Sequence, residues 1–143
     1  METGKYVRAG DRVELANDGV DRTIDIAPFV GTWVNTMRDT QGFVKLIVSS
    51  RDGRLFVQAF GAAASDLCDW GEVPAEVYAD SINSKTAMSF TATFDFGFME
   101  THLQTNLKRG TMVIATANKF SDLSGRSDYY TREFFYQIDD DSF

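Results

Sequence analysis

Short alternating runs joined by tight turns are the feature that most constrains how this chain can fold. Two connections, Arg51–Gly53 and Lys108–Gly110, place a glycine where a hairpin requires a positive φ angle. A third glycine-containing segment, Asp95–Gly97, is either another such turn or a bulge in one long strand. Connections this short make neighbouring strands antiparallel, because parallel strands need a crossover of roughly a dozen residues or more.

The alternation of apolar and polar residues predicts eight strands, and no long window has helical periodicity. The predicted strands span about residues 29–36, 41–49, 54–61, 76–80, 86–94, 97–107, 111–120 and 129–137. Eight antiparallel strands in sequence order favour an all-β, up-and-down β-barrel, since closure leaves no exposed sheet edge. A two-sheet β-sandwich is the alternative.

A length of 143 residues and a mass of 16.0 kDa indicate a single β-barrel domain. We expect an N-terminal extension over residues 1–27, the barrel over 28–138 and an acidic tail over 139–143. Within the extension, Val13–Leu15 and Ile24–Ile26 alternate and predict one further short strand.

The charge balance excludes two classes of partner. The net charge is −7 and the isoelectric point about 4.6, so phosphate backbones and anionic membrane surfaces repel the chain. We therefore expect no nucleic-acid and no membrane partner.

A single cysteine, Cys68, allows no internal disulfide, and the sequence shows no signal-peptide core or membrane-spanning run. These features predict a cytoplasmic protein.

The first three predicted strands, over residues 28–61, resemble calycin-type β-barrels. The segment Gly31–Asn35 reads GTWVN and leads through a turn into two further strands, an opening that is similar to streptavidin-like proteins and to the lipocalin G-X-W motif. The resemblance implies that Trp33 plugs one end of the barrel and that Arg132, in the last strand, stacks across its indole. It also implies that Asn35 faces the ligand, as the matching asparagine does in the biotin site of streptavidin-like proteins.

Biotin itself is not the expected ligand, because the later strands lack the tryptophans that form its walls, and Phe60 stands near the place of a ligand-contacting tyrosine. Aromatic residues make up 13% of the chain, which suits the walls of a cavity for a small, partly hydrophobic molecule. The predicted ligand-binding residues are Asn35, Phe60, Asp69, Trp70, Tyr130 and Arg132.

Two longer connections, 62–75 and 121–128, are predicted as loops. Trp70 in the first loop has two interpretations. It either folds the loop back over the barrel mouth, with Gly71 permitting the turn, or acts with Asp69 as a lid that contacts ligand.

The strand over residues 97–107 has two different faces, and either could be interior. An apolar set alternates with a polar row that contains Glu100 and His102. If the polar row faces water, the strand is structural. If it faces the cavity, Glu100 and His102 are candidate catalytic residues, because a carboxylate can orient a histidine that transfers a proton.

The sequence predicts neither a metal site nor a cofactor. One histidine cannot form a multi-histidine metal site, and no phosphate loop or dinucleotide fingerprint is present.

Three functions remain open. The first is non-enzymatic binding of a small molecule in the barrel. The second is a cofactor-independent cyclase, isomerase or lyase acting on a hydrophobic metabolite, and the third is an interaction or inhibitor module that uses the barrel-end loops.

Several strands, such as 54–61, are apolar on both faces, which predicts a homodimer or higher homo-oligomer.

Overall fold

Eight antiparallel strands close in sequence order into one barrel, as predicted. The computed structural model describes residues 23–63 and 66–139. The last strand pairs with the first, so the sandwich alternative is wrong. A 3-10 helix over Ala27–Phe29 precedes the barrel. The strands are β1 Gly31–Asn35, β2 Phe43–Arg51, β3 Arg54–Ala62, β4 Leu67–Ala79, β5 Ala87–Asp95, β6 Met99–Lys108, β7 Thr111–Phe120 and β8 Tyr129–Ile138.

The predicted hairpin turns are confirmed by their backbone angles. Asp52 and Gly53 have φ angles of 53° and 77°, and Arg109 and Gly110 have φ angles of 53° and 80°. Two successive positive values are typical of a type I′ turn, whose twist matches that of the flanking strands. Gly97 has a φ of 88° and lies between β5 and β6, so the third glycine segment is a turn and not a bulge.

The fourth strand is longer than predicted, and this corrects the expectation of a loop over residues 62–75. β4 begins at Leu67 and pairs with β3 along most of its length. Gln58 pairs with Glu72 and Phe60 with Asp69, so Trp70 and Gly71 together lie opposite one residue of β3. Gly71 has a φ of 97°, and a glycine at positive φ is characteristic of a β-bulge. The glycine therefore marks an irregularity within a strand.

The N-terminal extension is described only from residue 23 onward. The predicted strand at Val13–Leu15 lies outside the described residues, as do residues 140–143 of the acidic tail. Around Ile24–Ile26 the structure shows an isolated bridge between Asp25 and Thr86 in place of the expected strand. In the described part of the chain, no helix has the length and apolar character needed to cross a membrane.

Aromatic residues close one end of the barrel, which we call the floor. Trp33 is 1% exposed, and its Nε1 donates a hydrogen bond to the carbonyl of Phe29 at 2.9 Å. The Phe29 ring meets Phe90 edge to face, with centroids 5.1 Å apart. The 3-10 helix therefore inserts an aromatic ring beneath the strands, and the indole of Trp33 fixes it there.

The expected stacking of Arg132 on Trp33 is wrong. Trp33 pairs with Gln137 of β8, and the Arg132 guanidinium lies 5.5 Å from the ring of Phe134 on the outside of the barrel. The reason is alternation along β8, which turns Phe135 inward and Arg132 outward.

The two tryptophans should differ sharply in their contribution to stability. We expect Trp33→Ala to lower the free energy of unfolding by about 3–5 kcal/mol, because it empties the floor and removes the donor to Phe29. Trp70 is 40% exposed, so Trp70→Ala should cost roughly 1 kcal/mol or less. Urea denaturation followed by far-ultraviolet circular dichroism measures both. Equal losses would contradict this description of the floor.

Candidate functional site

A cavity of about 360 Å³ opens at the end of the barrel opposite the floor. This volume lies within the range of small-molecule sites, about 300–1,000 Å³. The walls come from the β1–β2 connection, the first half of β4, the β5–β6 turn and the inner faces of β6, β7 and β8. Its aromatic lining residues are Phe43, Trp70, Phe96, Phe98, Tyr129 and Phe135.

The cavity exists because small polar side chains replace large apolar ones toward the mouth. On β7, Ile114 is followed at inward positions by Thr116 and Asn118. On β8, Phe135 is preceded at inward positions by Glu133 and Thr131. A barrel of eight strands has an interior that side chains just fill, so shorter residues in one half leave that half open.

Glu133 brings a carboxylate into this cavity. Its Oε2 accepts a hydrogen bond from the Thr40 hydroxyl at 2.7 Å, and that hydroxyl accepts one from the backbone N–H of Gly42 at 3.0 Å. No described residue donates a hydrogen bond to Oε1. Among the described residues, every side-chain nitrogen or oxygen that is fully buried has a hydrogen-bond partner. Because Oε1 of the half-buried Glu133 has none, this atom is not fully buried and is accessible from the cavity. This oxygen is a free acceptor in the cavity wall.

Gly42 makes room for that carboxylate. A Cβ atom at position 42 would lie 3.3 Å from Oε1 of Glu133, which is a tight contact. Larger side chains at this position would crowd the free oxygen and the path to it.

Asn118 supplies a second polar group. The residue is buried, with 6% of its surface exposed. The Oδ1 atom accepts a hydrogen bond from the hydroxyl of Thr101 at 2.7 Å, while no described residue pairs with the amide nitrogen. Because every fully buried side-chain nitrogen among the described residues has a partner, this nitrogen is accessible and can donate a hydrogen bond to a molecule in the cavity.

Aromatic rings form a chain around the mouth. The centroid distances are 5.2 Å from Trp70 to Phe96, 6.5 Å from Phe96 to Phe98, 6.4 Å from Phe98 to Phe120 and 6.3 Å from Phe120 to Tyr129. Rings at these distances support one another's orientation and present a continuous apolar surface. A ligand that enters the cavity passes this rim.

Close packing against a glycine fixes the position of Trp70. The indole nitrogen of Trp70 lies so near Gly61 that a Cβ atom at position 61 would overlap it. Of the six predicted ligand-binding residues, all within the described part of the chain, Trp70 lines the cavity. It does so from the bulge in β4 and not from a flexible loop.

Asn35 holds the backbone and does not line the cavity. Its Nδ2 donates to the carbonyl of Phe43 at 3.0 Å, and its Oδ1 accepts from the N–H of Met37 at 2.8 Å. The residue is 2% exposed. Both ends of the amide are thus occupied by the β1–β2 connection, which corrects the expectation that this side chain faces a ligand.

The other four predicted ligand-binding residues lie on the outer surface. The Lys45 ammonium is 4.7 Å from the ring centroid of Phe60, and Tyr130 is 64% exposed. Asp69 accepts hydrogen bonds from Gln58 at 2.9 Å and from the N–H of Gly71 at 2.8 Å. Arg132 lies beside Phe134, as described above. Alternation along β3 and β8, together with the bulge in β4, turns these side chains away from the cavity.

Glu100 and His102, which were candidate catalytic residues if they faced the cavity, also lie on the outer surface. In β6, Thr101 and Leu103 are buried and point inward, so the interpretation with the polar row facing water is confirmed. The His102 ring nitrogen Nδ1 lies 2.9 Å from the hydroxyl of Thr93 on β5, and Glu100 is exposed. A proton transfer between these two residues inside the cavity is therefore excluded by their placement.

Sequence reasoning missed Glu133, Thr40 and Asn118. The only signal for Glu133 is its alternation with the buried Phe135. That signal is ambiguous, because the opposite face of β8 carries more aromatic residues. The bond from Thr40 to Glu133 joins residues 93 positions apart, and no sequence pattern encodes it.

The connection over residues 121–128 is exposed and locally ordered by its own side chains. Arg126 donates to Asp122 at 2.9 Å. The hydrogen bond from the Ser124 hydroxyl, with that from Arg126, lowers the pKa of the Asp122 carboxyl. Of the two predicted interaction loops this is the one that remains a loop.

Comparison with protein-family models, with curated proteins and with solved structures gives no match for this chain. The function is therefore argued from the geometry of the cavity.

Removing the Asn35 amide should affect stability directly. We expect Asn35→Ala to lower the free energy of unfolding by roughly 1–3 kcal/mol, because it leaves two backbone groups of the β1–β2 connection without partners. Asn106→Ala, on the outer face of β6, is the matched control and should change it by about 0.5 kcal/mol or less. Chemical denaturation measures both variants. An Asn35→Ala variant as stable as its control would mean that the amide is free for another role.

Proposed function

We propose that this barrel binds a small, partly hydrophobic molecule in the cavity at its open end, without transforming it. The observation that carries the proposal is the cavity of about 360 Å³, which has aromatic rings in its wall together with threonine hydroxyls, an amide and a carboxylate. Apolar walls with a small number of placed polar groups are typical of ligand sites. Here the polar groups include the free oxygen of Glu133, the amide nitrogen of Asn118 and the hydroxyls of the lining threonines.

We also propose that the barrel is of the calycin type. Its up-and-down order and the burial of Trp33 near the floor support this. The chain departs from the calycin pattern at Arg132, which does not reach the indole, and at Asn35, which holds a turn.

A second candidate function is a cofactor-independent cyclase, isomerase or lyase. The observation that favours it is one carboxylate with an accessible oxygen inside an aromatic cavity. Such a group can move a proton while the walls hold the substrate in a reactive conformer. If Glu133→Gln still binds a substrate but no longer converts it, this result would favour the enzymatic function over binding alone.

Filling the cavity should abolish binding. The neutral dye N-phenyl-1-naphthylamine should increase in fluorescence with the wild-type protein and saturate at one site per chain. Thr116→Phe places a ring inside the cavity and should weaken the dye at least about tenfold, because the ring occupies the space of the ligand. Gln104→Phe, on the outer face of β6, should leave the affinity unchanged. An equal effect of both variants, or no dye binding by the wild type, would refute the proposal.

We further propose that the outer face of β7 and β8 mediates self-association. On β8, Tyr130, Phe134 and Tyr136 are 64%, 43% and 39% exposed. Small residues of β7 lie beside them, with Ala117 opposite Tyr130 and Val113 opposite Phe134. The result is a mainly aromatic and apolar face on the outside of a closed barrel, with Arg132 opposite Ala115 in its middle, and such faces mark contacts with other molecules.

The outer aromatic residues of β3 are covered differently. The Arg51 guanidinium lies 3.8 Å from the ring centroid of Phe56 and bonds Glu72 at 2.7 Å. This bond from Arg51 lowers the pKa of the Glu72 carboxyl. Lys45 covers Phe60 in the same way. Long cationic side chains therefore shield the β3 rings at these distances. On the β7–β8 face the Arg132 guanidinium lies farther from Phe134, at 5.5 Å, and Tyr130 and Tyr136 are exposed, which makes this face the candidate interface.

The wild-type protein should have the mass of a dimer or higher oligomer by light scattering at tens of micromolar. Phe134→Lys adds a second positive charge beside Arg132 and should shift the mass toward the monomer. Tyr78→Lys makes the same kind of change at an exposed aromatic residue of β4, away from this face, and should not. A monomeric wild type would refute the proposal.

A further inference from the structure

We propose that the molecule bound in this cavity is a hydrophobic amine, held as its cation by the carboxylate of Glu133. The inference rests on the proposed binding function and adds the chemical class of the ligand. It combines the charge of the lining, the free oxygen of Glu133 and the aromatic rings that line the same cavity.

The charged residues of the lining are acidic. Glu133 lies in the wall and Asp39 at the exposed mouth, and the described lining includes no lysine or arginine. The chain as a whole carries a charge of −7. A carboxylate or phosphate ligand would find no cation in the lining, and the Arg126 guanidinium beside the rim is bonded to Asp122. The electrostatics therefore disfavour anionic ligands and favour cationic ones.

Burial of Glu133 by a ligand requires a donor on that ligand. The Oε2 atom has a partner in Thr40, whereas Oε1 is accessible from the cavity and has no partner among the described residues. A wholly apolar molecule that filled the cavity would bury this carboxylate oxygen without a hydrogen bond, which is costly. A ligand N–H or O–H directed at Oε1 avoids that cost.

A charged donor satisfies the site better than a neutral one. An alcohol and an ammonium both make a charge-assisted hydrogen bond to the carboxylate, and the ammonium adds a Coulomb attraction that the partly shielded cavity strengthens. An alcohol can therefore bind, while an ammonium of the same shape should bind more tightly. Asn118 and the threonine hydroxyls carry both donors and acceptors, so they accommodate either ligand.

The aromatic rim suits a cation. An ammonium group over an aromatic face is attracted by the ring's quadrupole. The Arg126 guanidinium lies 5.6 Å from the ring centroid of Phe98, so the rings that a ligand cation would use are Trp70 and Phe96, which also line the cavity. The same rings would pack against the apolar body of the ligand.

Three probes of one shape test the ligand class. They are 2-(2-naphthyl)ethylamine, which is a cation at pH 7, the neutral 2-(2-naphthyl)ethanol and the anionic 2-naphthylacetate. Each is titrated into the full chain by isothermal calorimetry, and the neutral dye N-phenyl-1-naphthylamine is measured in parallel. We expect the amine to bind about tenfold more tightly than the alcohol, and the acetate to bind least.

Two matched variants locate the charge. Glu133→Gln keeps the shape of the side chain and an acceptor for Thr40, and should reduce the preference for amine over alcohol to less than about twofold. Glu100→Gln changes the net charge equally on the outer face of β6 and should keep the preference. The comparison of the three probes on the wild type stands even if Glu133→Gln does not fold.

The outcomes separate the two proposals. If the amine and alcohol bind equally, if the acetate binds best, or if Glu100→Gln removes the preference as fully as Glu133→Gln, the amine inference fails while the binding function stands. If neither the three probes nor the dye binds, the binding function itself fails, and the inference fails with it.

Discussion

The pairing of the short strand β1 with both of its neighbours is the constraint on which the rest of the structure depends. β1 has five residues, and Trp33 within it pairs with Leu46 of β2 on one side and Gln137 of β8 on the other. This double pairing closes the barrel and leaves no sheet edge. It also carries the indole that fixes Phe29 in the floor.

The early end of β1 creates the candidate site as well. After Asn35 the chain leaves the barrel wall, held there by the Asn35 amide and by a hydrogen bond from the N–H of Thr36 to the carbonyl of Phe134 at 2.9 Å. The connection that follows places Thr40 and Gly42 against Glu133. A longer β1 would extend the wall where this connection now contacts the carboxylate. Closure and the polar side of the cavity are therefore consequences of the same short strand.

The sequence was sufficient for the strand order and the turns but not for the irregular parts of the sheet. Alternation and the glycine turns at Gly53 and Gly110 are local signals, and antiparallel neighbours in sequence order follow from them, which favoured a barrel over a sandwich without deciding between them. The bulge at Trp70 and Gly71 is different. Glycine, proline and charged residues in 62–75 have the composition of a loop, and only the pairing of β4 with β3 shows that the segment is a strand. Tertiary pairing overrides local preference there.

The candidate site was harder to predict, because its residues depend on which face of each strand is interior. On β8 the inward face carries Glu133 and Thr131, while the outward face carries Tyr130 and Phe134. An argument from hydrophobicity alone selects the wrong face, since the more aromatic one is exposed. The resemblance at the start of the chain pointed to Arg132 and Asn35, but the first lies on that outer face and the second is used by a turn.

The two faces of β8 connect the proposed site to the proposed assembly. A shift of one residue in the register of β8 would exchange its inward and outward side chains, removing Glu133 from the cavity and burying Tyr130 or Phe134 in its place. The register is set on one side by β7, where Ile114 pairs with Glu133, and on the other by only four residue pairs with β1. Contacts on the outer aromatic face would hold β8 in the register that keeps the carboxylate inside. Self-association through that face would therefore stabilise the binding site without contributing a residue to it.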